Sequence, residues 1–337
     1  MVMKTGVVEG DYRGVARHST TLGMAGHACS FRTDSERFLE LASAFFPLCP
    51  APVAQSSRAT ITLLVRGKRQ ASPAHCNFPI FRGRNQFVHA DYGSDGSVWF
   101  DLKAREVAGM LSDGIIADEG FFRRAVLSVI AGILAPSLGV IALHAACVVR
   151  KGKALLLAAP SGVGKSTISL ALALRGWSLL SDDWTFVTDA RNRLNVWGMQ
   201  TSIKLLPDAK FYFPQLSALS PATSLNGELS FEVDPWTFFG VERAIDATPA
   251  GIVFLNRASV ESNEHIFHIS SSNEDEALES LLGEIEEQPE AIAGQNSHRS
   301  SLLQQLCRLP SLKVLFSGHP AVVAAHLDVI CTERICA

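Results

Sequence analysis

The stretch Ala159-Pro-Ser-Gly-Val-Gly-Lys-Ser-Thr167 decides the reading of this chain. It fits the pattern Ala/Gly-x-x-x-x-Gly-Lys-Ser/Thr. In that pattern the backbone N–H groups of a short loop, here Ser161, Gly162, Val163, Gly164, Lys165, Ser166 and Thr167, form a concave anion site. The Lys165 ammonium reaches the outer phosphates and the Ser166 hydroxyl ligates Mg²⁺. A nucleoside triphosphate is the ligand this pattern implies.

The flanks agree with that reading. Ala154 to Ala159 is an apolar run of strand length, and Ser166 to Arg175 is rich in helix formers and closed by Gly176. Strand, loop and helix in that order aim a helix N-terminus and its dipole at a bound phosphate. The alternative is a glycine-containing turn between an ordinary strand and helix. Ala159 stands where Gly is usual, a change the looser pattern allows.

One strand later, Trp177 to Leu180 runs into Ser181-Asp182-Asp183-Trp184. In a parallel α/β sheet, residues just past a strand's carboxyl end face the ligand crevice. Adjacent carboxylates there can divide two tasks: supporting Mg²⁺, and accepting the proton of an attacking hydroxyl. An Asp pair in a solvated turn is the plain alternative. His144 lies in the apolar strand Ile141-Ala-Leu-His-Ala-Ala-Cys-Val-Val149, before the Lys151-Gly152 turn. Alone it reads as a hydrogen-bonded core histidine.

Taken in order, the L-H-A-A-C-V-V strand, the hairpin, the phosphate loop and R-G-W-S-L-L-S-D-D resemble the catalytic domain of the HPr kinase/phosphorylase family. The resemblance is closer still to the broader set of HPr-kinase-related serine kinases. It is dense over His144 to Trp184 and weaker from about Glu119 to Arg257, where it takes in Lys204-Leu-Leu-Pro-Asp208 and Phe239-Gly-Val-Glu-Arg243. It implies an α/β fold: a P-loop (Walker A) kinase domain of the HPr kinase C-terminal type, with a mixed central sheet flanked by helices, plus an N-terminal α+β region. It implies ATP and Mg as cofactors, Lys165 and the loop on the triphosphate, and Ser166 and Asp182 at the metal. Asp182 and Asp183 then provide the base for an acceptor serine on a peptide or protein, with His144 beside the transferring phosphate.

The family's bifunctional members carry an I-R-G-I-G-I-like signature with an acidic residue, where this chain has Thr201-Ser-Ile-Lys-Leu-Leu-Pro207. Neither phosphorolysis nor HPr as acceptor is therefore expected. Glu228 or Glu232 could replace the missing acid or be solvated surface residues. Lys204 and Arg243 are candidates to neutralise charge on the transferring phosphoryl group.

Composition fits an enzyme of one large or two ordinary domains: 337 residues, 47% apolar. The expected division is 1–115 for the N-terminal region, of unknown role, and 116–337 for the catalytic domain. Net charge is −3, with 30 basic and 33 acidic residues and no basic block, which argues against nucleic acid and anionic membrane surfaces as partners. Seven scattered cysteines without a C-x-x-C pair fit a cytoplasmic protein. Cys147 reads as a small buried hydrophobe, and His75-Cys76 lacks the second cluster that a zinc site needs.

No charge occurs in the 25 residues between Arg124 and Arg150. Pro136-Ser-Leu-Gly139 breaks that run, so a buried helix over about Gly120 to Ala135, a turn and a central strand are expected rather than a membrane span. Residues 1–25 show no secretory signal.

In the N-terminal region a helix is expected over Asp34 to Phe46, capped by Thr33 or Asp34, and a strand over Ala59 to Val65. A hairpin is expected around Gly93-Ser-Asp-Gly96, between Gln86 to Asp91 and Ser97 to Leu102. This region could shield the nucleotide, present a substrate or form a homo-oligomer face. Toward the C-terminus, loops are expected at Ser259 to Glu264, Ser270 to Asp275 and Glu286 to Arg299. Helices are expected at Glu276 to Ile285, Ser300 to Arg308 and Pro320 to Ile330, and a strand at Leu312 to Phe316. The acidic stretch Glu284 to Glu290 reads as a solvated helix end.

The leading expectation is an ATP:serine phosphotransferase. A P-loop ATPase or nucleotide switch, and a small-molecule kinase, remain as alternatives because the loop alone serves all three.

Overall fold

In a computed structural model of the chain, the residues described are 15–46, 58–67, 78–189, 193–199, 201–224, 227–258, 266–285 and 296–335. The chain divides into two compact units, Met1–Leu134 and Ala135–Ala337. This division lies beyond the expected boundary at 115/116, because the apolar helix packs with the N-terminal unit. Phe122 meets Phe38 edge-on at 5.5 Å, and the Tyr92 hydroxyl donates to the Ala125 carbonyl at 2.6 Å.

The N-terminal unit is built on a seven-stranded sheet. Its strands are β1 (His18–Met24), β2 (His27–Thr33), β3 (Ala59–Val65), β4 (Ile80–Arg84), β5 (Phe87–Asp91), β6 (Gly96–Asp101) and β7 (Glu106–Leu111), in the spatial order β1-β2-β3-β7-β6-β5-β4. The β2–β3 and β3–β7 pairs are parallel and the others antiparallel. The β5–β6 hairpin forms where expected, with Gly93 and Gly96 at positive φ. Helix α1 spans Glu36–Phe45, but its cap is Ser35, whose side chain accepts from the Phe38 N–H. Of the two expected caps, Thr33 accepts from the Ser35 N–H and Asp34 from the Val65 N–H.

After α2 (Asp113–Ala117), one helical run combines α3 (Glu119–Phe121), a π-helical segment (Phe122–Leu127), α4 (Ser128–Leu134) and a 3₁₀ turn (Ala135–Leu138). Glu119–Leu138 is long and apolar enough to cross a membrane, but 67% of its apolar window is buried within the fold, as a core helix would be.

The C-terminal unit is three-layered. Its strands are β8 (Ile141–Arg150), β9 (Lys153–Ala158), β10 (Ser178–Ser181), β11 (Trp184–Asp189), β12 (Leu194–Gly198), β13 (Ile203–Leu205), β14 (Ala222–Thr223), β15 (Leu229–Val233), β16 (Asp246–Arg257), β17 (Phe267–Ser272) and β18 (Ser311–Phe316). Its helices are α5 (Lys165–Ala173), α6 (Pro235–Phe238), α7 (Glu274–Leu282), α8 (Asn296–Cys307) and α9 (Pro320–Arg334). Strands β9, β16 and β18 form a parallel core, β8, β12 and β17 pair with it antiparallel, and β10 and β11 pair antiparallel with β8. A small sheet, β13-β15-β14, stands apart.

Alternate residues of the strands feed two apolar layers, as the period of two requires. Ala146, Val148, Leu155 and Leu157 join the layer that includes residues of α5 and α9. Leu143, Ala145, Cys147, Leu156 and Ala158 join the layer that includes residues of α7 and α8.

Several expectations shift by a few residues, and one changes kind. Ser270 to Ser272, expected in a loop, belong to β17, because β18 supplies the ladder hydrogen bonds for a polar edge strand. The segments 259–264 and 286–295, Cys49, His75-Cys76, Cys336 and the first fourteen residues lie outside the described residues.

Candidate active site

The site is laid out across β8. Strands β9 and β10 pair with opposite edges of β8, both antiparallel to it, so they run in the same direction. Their carboxyl ends therefore open at the same end of the sheet: Ala158 lies opposite Ala145, and Ser181 opposite Cys147. The acids stand just past the end of β10, as the sequence led one to expect. The strand between them and β9 is antiparallel, yet the two carboxyl ends still coincide.

On one edge, β9 passes into the phosphate loop. Gly162 (φ 81°) and Gly164 (φ 117°) have left-handed backbone, where a side chain would be strained. No atom lies within 4 Å of where a Gly162 side chain would sit, so its backbone conformation, and not crowding, is what calls for glycine. Helix α5 starts at Lys165 with no side-chain cap, leaving its N-terminal N–H groups for an anion. Ala159 is buried in the apolar layer under α5, which accounts for Ala in place of Gly: its methyl faces the core. Its carbonyl accepts from the Lys165 ammonium, parking that charge inside the loop. Burial pulls the Lys165 pKa down, opposed by the nearby carboxylates of Glu284, Asp183 and Asp182.

On the other edge, β10 and β11 lie along β8 as one interrupted strand, and Asp182 and Asp183 occupy the break. Their environments differ sharply. Asp182 is 7% exposed and accepts from Ser166 at 3.0 Å, from Ser169 at 3.4 Å and from the Lys204 backbone N–H. Burial, with the Asp183 charge beside it, raises its pKa to about 7. The Asp183 side chain is 56% exposed and lies 3.0 Å from His144 Nε2. The structure thus brings together Lys165, Ser166, Asp182, Asp183 and His144.

One site residue was not legible beforehand. Glu284, just beyond α7 and only 11% exposed, lies 3.1 Å from His144 Nδ1. Its carbonyl also accepts from the His144 N–H at 2.8 Å, and Ile285 bridges Leu143. Carboxylates accept and do not donate, so oxygens at both ring nitrogens call for both ring protons. His144 is accordingly raised to about 9, by Asp183 first and Glu284 second. The reading of Glu284 as a solvated helix end is corrected. The only sequence signal was its place at the end of an amphipathic helix, and that gave no hint of a partner 140 residues away.

Lys204 enters the site through its backbone, while its ammonium meets Glu228 at 2.6 Å. Glu232 faces Lys204 across the β13–β15 ladder. The Arg243 guanidinium stacks on Trp236 at 4.2 Å, and its backbone bridges Leu179. Among the described residues no group of three or more His, Cys, Asp or Glu side chains is placed to hold a metal ion. A Mg²⁺ site here would draw on Ser166 and Asp182 together with phosphate oxygens, the usual economy of that ion.

No family model matches the chain, and no curated protein matches it. Among solved structures it is similar to the Hpr(Ser) kinase/phosphatase from Coxiella burnetii, at 15% identity over 57% of this chain and 91% of that one, with a TM-score of 0.29. The functional reading rests on the side chains themselves.

Proposed function

We propose that the chain is an ATP- and Mg²⁺-dependent phosphotransferase that phosphorylates a serine hydroxyl on a peptide or protein. The observation that carries this reading is the split of the acidic pair around the loop: Asp182 is bonded to Ser166, and Asp183 stands exposed beside His144. The catalytic region in this reading is the unit Ala135–Ala337.

Lys165 leaves the Ala159 carbonyl and reaches the outer phosphates, while the loop amides hold the remaining oxygens. Ser166 and Asp182 would hold the metal, which would supply charge neutralisation across the phosphates when bound. Asp183 takes the proton from the acceptor hydroxyl as that oxygen bonds to the terminal phosphorus and the bond to the bridging oxygen breaks. The electron pair of that bond leaves with the diphosphate. His144 holds Asp183 in place and contributes positive charge beside the transferring group.

The exposure of Asp183 supports an acceptor presented on the outside of a larger molecule over a metabolite enclosed in a cavity. Cys147 and Cys307 are buried free thiols, which supports a reducing, cytoplasmic location.

The test uses labelled ATP, Mg²⁺ and serine-containing peptides encoded near the gene. Label should move to peptide serine and stay off free amino acids. Slow hydrolysis without a phosphopeptide would favour the nucleotide-switch alternative, and absence of Mg²⁺-dependent nucleotide affinity would sink both.

A further inference from the structure

We propose that Glu284 is a positioning residue, which clamps His144 so that Nε2 faces Asp183. The proposal rests on the phosphotransferase reading for its kinetic consequence, but its structural content stands apart from it.

Strand β9 pairs with β8 as far as Ala145 and then turns away into the phosphate loop. The edge of β8 at Leu143 and His144 would be left without a neighbour there. The residues after α7 fill that gap: the His144 N–H donates to the Glu284 carbonyl at 2.8 Å, and Leu143 bridges Ile285. The same residue that secures the backbone places a carboxylate 3.1 Å from Nδ1 of the ring. Backbone and side chain of one residue thus fix both the strand position and the ring rotation of His144.

Glu284 is itself held. Its N–H donates to the Leu281 carbonyl at 3.0 Å, Leu281 is 1% exposed, and Asn273 caps the start of α7 by accepting from the Glu276 N–H at 2.9 Å. A histidine whose second ring nitrogen is tied to a carboxylate keeps one orientation, and for metal-bound histidines the loss of such a partner costs about 10- to 100-fold, the scale taken here for His144. Trp184, 5.8 Å from the ring, limits rotation on the other side but offers it no hydrogen-bond acceptor. Without Glu284 the ring can turn Nε2 away from Asp183.

The experiment compares full-length wild type, Glu284→Ala and Glu284→Gln by ¹⁵N-detected spectra of the histidine ring, assigned with a His144→Asn control, and by nucleotide affinity and peptide phosphorylation. The expected result for E284A is a changed His144 ring signature, nucleotide Kd within about twofold and a kcat lower by about 10- to 100-fold. E284Q, which can still accept from Nδ1, should retain more of kcat than E284A. Ring resonances and kcat unchanged in E284A would overturn the proposal. If E284A does not fold, Glu284→Leu decides, because it fills the same space without an acceptor for Nδ1, and ring resonances and kcat matching wild type there would overturn the proposal equally. A wild type that transfers no phosphate, alongside an altered ring signature in E284A, refutes the kinase reading and leaves the clamp standing.

Discussion

The two units use charge in opposite ways. In the N-terminal unit two of the described ion pairs sit at the surface: Arg37 meets Glu119 and Arg82 meets Asp91, with the arginine side chains 55% and 63% exposed. Pairs of this kind contribute little, because water already solvates both partners. In the C-terminal unit a buried Lys165 and a buried Asp182 lie within one short loop and one strand break of each other, and His144 bridges two carboxylates. Withdrawing charges from water is costly unless a partner offsets it, which under the proposed function is a bound ligand.

The largest test of that contrast is to remove both acids. Asp182→Asn with Asp183→Asn should lower phosphate transfer by about 10³-fold or more, within the range general-base loss produces. Arg82→Gln should leave it unchanged. Transfer that survives the double variant removes the proposed base.

The second test is thermal stability against pH in the absence of nucleotide. Asp182 is raised from 3.8 to about 7, so the folded state holds a proton that the unfolded chain has released. Its contribution is fully present below pH 3.8 and is lost as pH rises toward 7. Asp182→Asn should flatten that fall. His144, raised from 6.5 to about 9, acts in a higher window: its contribution is full below 6.5 and disappears as pH climbs through 9. A stability curve of Asp182→Asn that tracks wild type from pH 4 to 7 would contradict the buried, protonated acid.

A smaller effect is expected where charge in the C-terminal unit serves structure alone. Asp328, with its side chain 15% exposed, gathers Arg150, Arg175 and the Trp177 indole N–H. Asp328→Ala should cost about 2 kcal/mol by chemical denaturation, since it strands hydrogen bonds to charged partners. The smallest is Arg37→Ala, expected within about 0.5 kcal/mol of wild type. A loss there as large as at Asp328 would erase the contrast between the units.

What the sequence made legible follows from how local each signal is. The phosphate loop was readable because apolar strand, glycines and helix formers lie within about twenty consecutive residues and each specifies its own conformation. The acidic pair was readable by its place one helix later. Glu284 was not, because its role depends on a strand 140 positions earlier in the chain that β9 vacates. β17 was missed for a similar reason: its Ser270-Ser-Ser272 run has no apolar alternation, and only pairing with β18 makes it a strand. The helix cap moved to Ser35 because Asp34 is drawn away to the Val65 N–H, a contact 31 residues distant. The domain boundary moved for want of any local mark on which sheet the 119–134 helix would cover.

Because the 159–167 loop, the acidic break and Glu284 all take their bearings from β8, that strand is the shared ruler of the candidate site. A one-residue insertion or deletion within Ala142 to Ala146 would turn His144 onto the α7–α8 face and send Leu143 or Ala145 into the crevice. The surrounding loops can lengthen and diverge to suit new acceptors. Strand β8 itself tolerates substitution only in place, so diversification of this protein should spare its length while altering nearly everything that hangs from it.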